Sequence, residues 1–250
     1  MNKIKFGLKL WSNNQTLPEA CDLINKGIFD YVELLAEPGK DVSNFEKAKI
    51  PYILHVPHDS FRFNIGEEKS FKLSLEILKQ NIELADRISA KYLILHPGFG
   101  EVEIAKRFLE KIHDNRILIE NMPLVGKHGE KMIGHNLEQI RQLQKDRFGF
   151  CLDFEHATKA AINLKTDPKK FIEKFMALKP KVFHICDGVY QAGPDNHLNI
   201  DEGEYDFKFF IDCIKKNDSK MVTLETPKGD LKSLKQDLEN LKKLKNYFTA

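Results

Sequence analysis

The chain has 250 residues, 42% of them hydrophobic and 30% charged, with a formal net charge of +2. This is the size of one (β/α)₈ barrel with a sizeable core, and a charge so near zero excludes a protein that gathers polyanions by bulk charge. No run approaches the roughly 18 apolar residues of a membrane span, and the start, MNKIKFGLKLW, lacks the apolar core and cleavage site of a signal peptide, so a cytoplasmic protein is expected.

In chain order, β-type runs fall at 4–10 (IKFGLKL), 31–35 (YVELL), 52–56 (YILHV), 92–96 (YLILH), 117–121 (ILIEN), 148–153 (FGFCLD), 182–186 (VFHIC) and 221–225 (MVTLE). Several are continuously apolar and end on a polar residue, as parallel strands buried on both faces do. Helical patterns lie between them, notably 70–89 and 230–245. The second spaces Leu231, Leu234, Leu238, Leu241 and Leu244 by three or four, one apolar stripe, with its lysines on the solvated face. Alternating β and α runs call for a parallel sheet, and eight of them for a closed (β/α)₈ TIM barrel, with a doubly wound sheet as the alternative. With no linker or low-complexity tract, residues 1–250 are expected to form a single domain. Cys21, Cys151, Cys186 and Cys213 form no CxxC pair and are expected to be reduced, small core residues.

In such a barrel the C-terminal strand ends build the active site, and here they carry His55, His96, Glu120, Asp153, His184 and Glu225. His156, in DFEH (153–156), is taken to end the sixth strand as His55, His96 and His184 end theirs, and Asp195 and His197 follow the seventh strand. A strand-closing carboxylate is costly to bury without a counter-charge, and a bound cation supplies one. DNH (195–197) places two ligands two residues apart, on one side of an extended loop. Nine nitrogen and oxygen ligands exceed the needs of one tetrahedral ion; they suit two or three ions of zinc, or of manganese or iron.

HVP (55–57), HPG (96–98), IEN (119–121), LDFEHA (152–157), FHICD (183–187), DNHLNIDEG (195–203) and LETP (224–227) resemble the strand-end signature of the endonuclease IV family. This is the family-2 branch of apurinic/apyrimidinic endonucleases within the xylose-isomerase-like barrels. The resemblance implies up to three zinc ions: one on His55, His96 and Glu120; a second on Glu120, Asp153, His184 and Glu225; a third on His156, Asp195 and His197. It further implies phosphodiester hydrolysis, as at abasic sites in DNA, by a metal-bridged hydroxide. Glu120, Asp153 and Glu225 are then the catalytic residues, with the two glutamates acting mainly as ligands.

Elsewhere the chain departs from that pattern. The loop after the second strand is short, AEPGKD (36–41); the family's aromatic after the third-strand His-Pro is His58; its arginine in the Asp–His loop is Asn196; its first-strand histidine is Lys9. Lys9, Trp11, His58, Lys127 and Asn196 are the candidate substrate- and phosphate-binding residues, and Arg62, His128 and Lys131 offer further rim charge. The departures keep a second function open, a sugar isomerase or epimerase working around one divalent ion on Glu120, Asp153, His184 and Glu225. In that chemistry the two glutamates shuttle protons beside a polarised carbonyl of a small sugar. A barrel that only binds a metal or a phosphorylated ligand is the third. No membrane and no obligate protein partner is expected.

Overall fold

The computed structural model describes residues 3–249. Eight parallel strands close into a barrel, each hydrogen-bonded to its neighbours in chain order: β1 (Lys5–Trp11), β2 (Tyr31–Leu35), β3 (Tyr52–His55), β4 (Leu93–Leu95), β5 (Ile117–Glu120), β6 (Gly149–Asp153), β7 (Val182–Ile185) and β8 (Met221–Leu224). Helices α1 (Leu17–Asn25), α2 (Ser43–Lys47), α3 (Glu68–Arg87), α4 (Val102–Glu110), α5 (Leu137–Gln144), α6 (Phe154–Asn163), α7 (Pro168–Met176), α8 (Phe207–Lys216) and α9 (Lys235–Thr249) surround it. The expected strands and fold class stand. The ring shuts where Lys5–Leu8 pair with Met221–Leu224, which excludes the doubly wound sheet.

Successive strand residues face opposite ways. One set, including Leu8, Leu34, Leu54, Leu95, Ile119, Leu152 and Leu224, packs outward in the main core with the helices. The other faces inward, where Tyr31, Ile53, Ile94, Leu118, Cys151, Val182 and Met221 make a second buried cluster. Gly7 completes this floor: a Cβ there would meet Tyr31 Cε2 at 2.3 Å, so only glycine admits the ring.

Three local expectations are corrected. The last helix begins at Lys235, not 230, because residues 230–234 form the turn that carries the chain from β8 to the barrel's outside; Leu231 is therefore off the helical stripe. The chain passes from β6 into α6 without a loop, so His156 lies in a helix's first turn rather than at a strand end. His197 has φ 36°, a left-handed bend, so 195–197 is not extended. All four cysteines are free, three of them buried and Cys21 half-buried. Among the described residues no helix is long and apolar enough to cross a membrane.

Candidate metal centre

Two residues beyond the inward floor, seven strands offer a polar side chain to the mouth, Lys9, Glu33, His55, His96, Glu120, Asp153 and His184; on β8 Thr223 takes that place, and Glu225 follows two residues further on, just past the strand. The period of two that fills the floor with hydrocarbon therefore fills the tier above with ligands. His55 Nδ1 lies 2.8 Å from its neighbour's carbonyl, Val56 O, which leaves Nε2 facing inward, 3.5 Å from Glu120 Oε2. His96 Nε2 approaches the same oxygen at 2.9 Å. The other Glu120 oxygen is 3.1 Å from His184 Nδ1 and 3.4 Å from His156 Nδ1, so this carboxylate stands at the centre. Glu225 Oε1 is 3.1 Å from His184 Nδ1 and in contact with Lys9 Nζ.

Asp153 has two tasks. Its Oδ1 accepts the His156 backbone N–H at 2.7 Å, capping α6, while its buried Oδ2 points away without a hydrogen-bond partner. The cap fixes His156 one helical turn above the strand, with its Nδ1 2.9 Å from Asn121 O. Across the mouth, the bend at His197 brings its Nε2 to 3.3 Å from Asp195 Oδ2, so this pair meets despite the lost extension.

The charges are sorted by position. Burial, reinforced by the Lys9 ammonium, drives His55 down to about 3, and burial also lowers His96. Burial acts the same way on His156, but Asp153, Glu120 and Asp195 overcome it and lift the ring to about 10. His184 is likewise raised against burial, by the Cys151 thiol and the Glu33 and Glu120 carboxylates. Burial opposes ionisation of Glu120, yet His96 and His184 hold it well below the usual carboxylate range. Without an ion, the mouth thus balances its carboxylates with Lys9 and two protonated imidazoles.

All nine expected ligands enter this neighbourhood. Groups able to share one ion include His55–His96–Glu120 and Asp153–His156–His197. Six of the nine leave a buried atom without a hydrogen bond: His55 Nε2, His96 Nε2, Glu120 Oε2, Asp153 Oδ2, His197 Nε2 and Glu225 Oε1. Buried polar groups are nearly always hydrogen-bonded, so a convergence on one cavity of atoms that are not fits the binding of a cation. The donors, imidazole and carboxylate, suit zinc, manganese or iron. The cavity holds about 320 Å³, and Lys9, Trp11, His58 and Lys127 line it. Asn196 is exposed and does not line it, and its backbone N–H donates to Glu155 at 2.8 Å.

Two residues of the site escaped the sequence reading. Glu33 is fully buried: its Oε2 lies 3.0 Å from His184 Nε2 and accepts the Thr223 hydroxyl at 2.7 Å, and its Oε1 is 3.4 Å from Lys9 Nζ. Burial alone would keep its proton on, but His184 and Lys9 push its pKa far down. By holding Nε2, Glu33 turns Nδ1 of His184 toward the mouth. Counting in twos from the inward Tyr31 would have found it. The other is Glu155, buried beneath the Asp195–His197 loop.

Fold and mouth together define a (β/α)₈ barrel with a clustered metal-ligand site at the C-terminal strand ends. The chain belongs to the xylose isomerase-like TIM barrel family, whose profile matches residues 27–244. Within it, the chain is 34% identical over 214 residues to a probable endonuclease 4 of Mycoplasmopsis synoviae (strain 53), covering 76% of each protein. Among solved structures, endonuclease IV from Thermus thermophilus superposes with a TM-score of 0.76 at 21% identity, over 98% of this chain and 99% of that one. A D-tagatose 3-epimerase-like protein superposes with a TM-score of 0.71 at 22% identity, over 98% and 97%. The motif resemblance to endonuclease IV thus holds at the level of sequence, while the two structures attest the fold.

Proposed function

We propose that this protein is a zinc-dependent phosphoesterase of endonuclease IV type, hydrolysing phosphodiester bonds at a site of up to three ions. Abasic sites in DNA are the first substrate to test, and the reducing cytoplasm is the proposed setting. The observation that carries the reading is the set of buried ligand atoms that make no hydrogen bond and crowd together in one mouth. His55, His96 and Glu120 would hold one ion; Glu120, Asp153, His184 and Glu225 a second; His156, Asp195 and His197 a third. Bound there, the ions would acidify water and neutralise charge on the attacking and leaving oxygens of a phosphodiester.

The protein's own residues do the rest. Glu120 spans two positions with its two oxygens, and Asp153 ties the second position to the helix that bears His156. Glu225 shares its oxygen between His184 and Lys9, so the Lys9 ammonium brings a fixed positive charge to an anionic substrate. Lys127 and His58 would meet phosphate oxygens at the rim, and Trp11 would cover a sugar or base and exclude water. Asn196 would act from the exposed loop. Protein purified without chelators should carry close to three zinc ions per chain by elemental analysis and nick duplex DNA at abasic sites. Inactivity on abasic DNA with a full metal complement overturns the endonuclease form.

The small cavity, with no long second-strand loop beside it, favours a second reading: an isomerase or epimerase of a small sugar on Glu120, Asp153, His184 and Glu225. Close to one ion per chain and turnover of ketoses would select it.

A further inference from the structure

Helix α6 is unlike the other outer helices in being buried on nearly all sides over Phe154–Ala161, charged residues included. Glu155 and Lys159 are 0% and 2% exposed. Such groups are costly to bury unless their hydrogen bonds are met. Here the partners come from one segment, the loop between β7 and α8, and mostly from its backbone; the exceptions are the Cys186 thiol and the His197 ring, whose Nε2 lies 3.3 Å from Glu155 Oε2. Glu155 accepts the N–H groups of Asn196 and His197, at 2.8 and 3.1 Å, and the Cys186 thiol at 2.9 Å. Lys159 Nζ donates to the carbonyls of Val189 and Gln191, at 3.1 and 3.2 Å. Asn163 donates to Gly193 O at 3.1 Å and accepts from Gly193 N at 3.3 Å.

Positions 155, 159 and 163 are four apart and so share one helix face. The loop runs outward past Lys159, turns at Gly193 beside Asn163, and returns to Glu155, where it presents Asp195 and His197. An anionic side chain takes the N–H groups and a lysine takes the carbonyls, so each end of the loop is matched by donor or acceptor character.

We infer that Glu155, Lys159 and Asn163 are positioning residues: the α6 face is a template that fixes the loop's path and so sets Asp195 and His197 against Asp153 and His156. Its consequence for metal rests on the three-ion reading above. The same helix that carries His156 thereby also fixes the ligands it does not carry.

The test compares wild type with Glu155→Gln, Lys159→Met and Asn163→Ala, by hydrogen exchange on ion-free protein and by zinc titration with a competing chelator. Expected is exchange at Asn196 and His197 at least about tenfold faster in Glu155→Gln, where their N–H groups lose a charged acceptor, and in Lys159→Met, where the outgoing arm of the loop loses its two carbonyl anchors. One zinc equivalent should weaken about 10- to 100-fold while the others hold. Unchanged exchange overturns the template. So does faster exchange with every zinc affinity intact, or with all of them weakened alike, which marks a general loss of stability. If wild type takes fewer than three ions, the three-ion reading fails and the template stands or falls on exchange alone. Should the first two variants not fold, Asn163→Ala must still speed exchange at Gly193.

Discussion

In the barrel's floor, Ile53, Ile94, Leu118 and Val182 fill the interior with hydrocarbon, while two residues on, along the same strands, His55, His96, Glu120 and His184 crowd ionisable groups together. The floor follows the rule for stability: apolar area leaves water and contributes roughly 25 cal/mol per Å². The mouth works against it, since buried charge is costly even when paired. Two tiers of one ring thus answer to different demands. The floor holds the strands in register, and the mouth uses that rigidity to keep like charges, and atoms that make no hydrogen bond, in place.

The sharpest way to break this contrast is Glu120→Gln, which removes the charge and replaces one of the two oxygens, the one facing His55 and His96 or the one facing His184 and His156, with an amide nitrogen that cannot serve as a ligand. Zinc binding and phosphodiester hydrolysis should fall at least about a hundredfold, as even supporting residues of metal sites cost 10- to 100-fold. Elemental analysis and steady-state kinetics measure this; a variant that keeps its metal and rate would detach Glu120 from the site. Leu118→Ala, one step below, should do the reverse. Denaturant unfolding should show a loss of about 2–5 kcal/mol, with zinc stoichiometry of the folded fraction unchanged. Loss of metal at full stability would mean the tiers are not separable.

Glu33→Gln tests the joint between them. With His184 less firmly held, zinc affinity should drop about 10- to 100-fold, and the Lys9–Glu225 contact should strengthen for want of the second carboxylate. Wild-type affinity in this variant would show that His184 needs no such support. The smallest effect concerns protons. His156, raised to about 10, and His184, also raised, are protonated at neutral pH in the ion-free protein. Zinc must displace those protons, so loading should release about two per chain and tighten as pH climbs toward 10. Calorimetry at pH 7 in buffers of differing ionisation enthalpy counts them, and a buffer-independent heat would contradict the charge assignment.

Much of this was legible beforehand. Apolar strands closed by His55, His96, Glu120, Asp153, His184 and Glu225 reveal both barrel and mouth, because strand ends converge only when the ring shuts. Glu33 was not legible in the same way, since YVELL ends on leucine and its acid lies mid-strand, read as one polar residue in an apolar run. His156 could be named but not placed: whether DFEH continues a strand or opens a helix depends on the Asp153 cap, which sequence alone does not reveal. Lys159 and Asn163 were invisible because their partners are backbone atoms some 30 positions away.

The seam between β1 and β8 carries one more implication. Lys9 and Glu225 touch only because the earliest and latest strands of the chain lie side by side. A nascent polypeptide lacking its final thirty or so residues would already own every histidine but not Glu225, and so no finished cage. Ion capture would therefore come late in synthesis, reserving reactive chemistry for molecules whose assembly is complete.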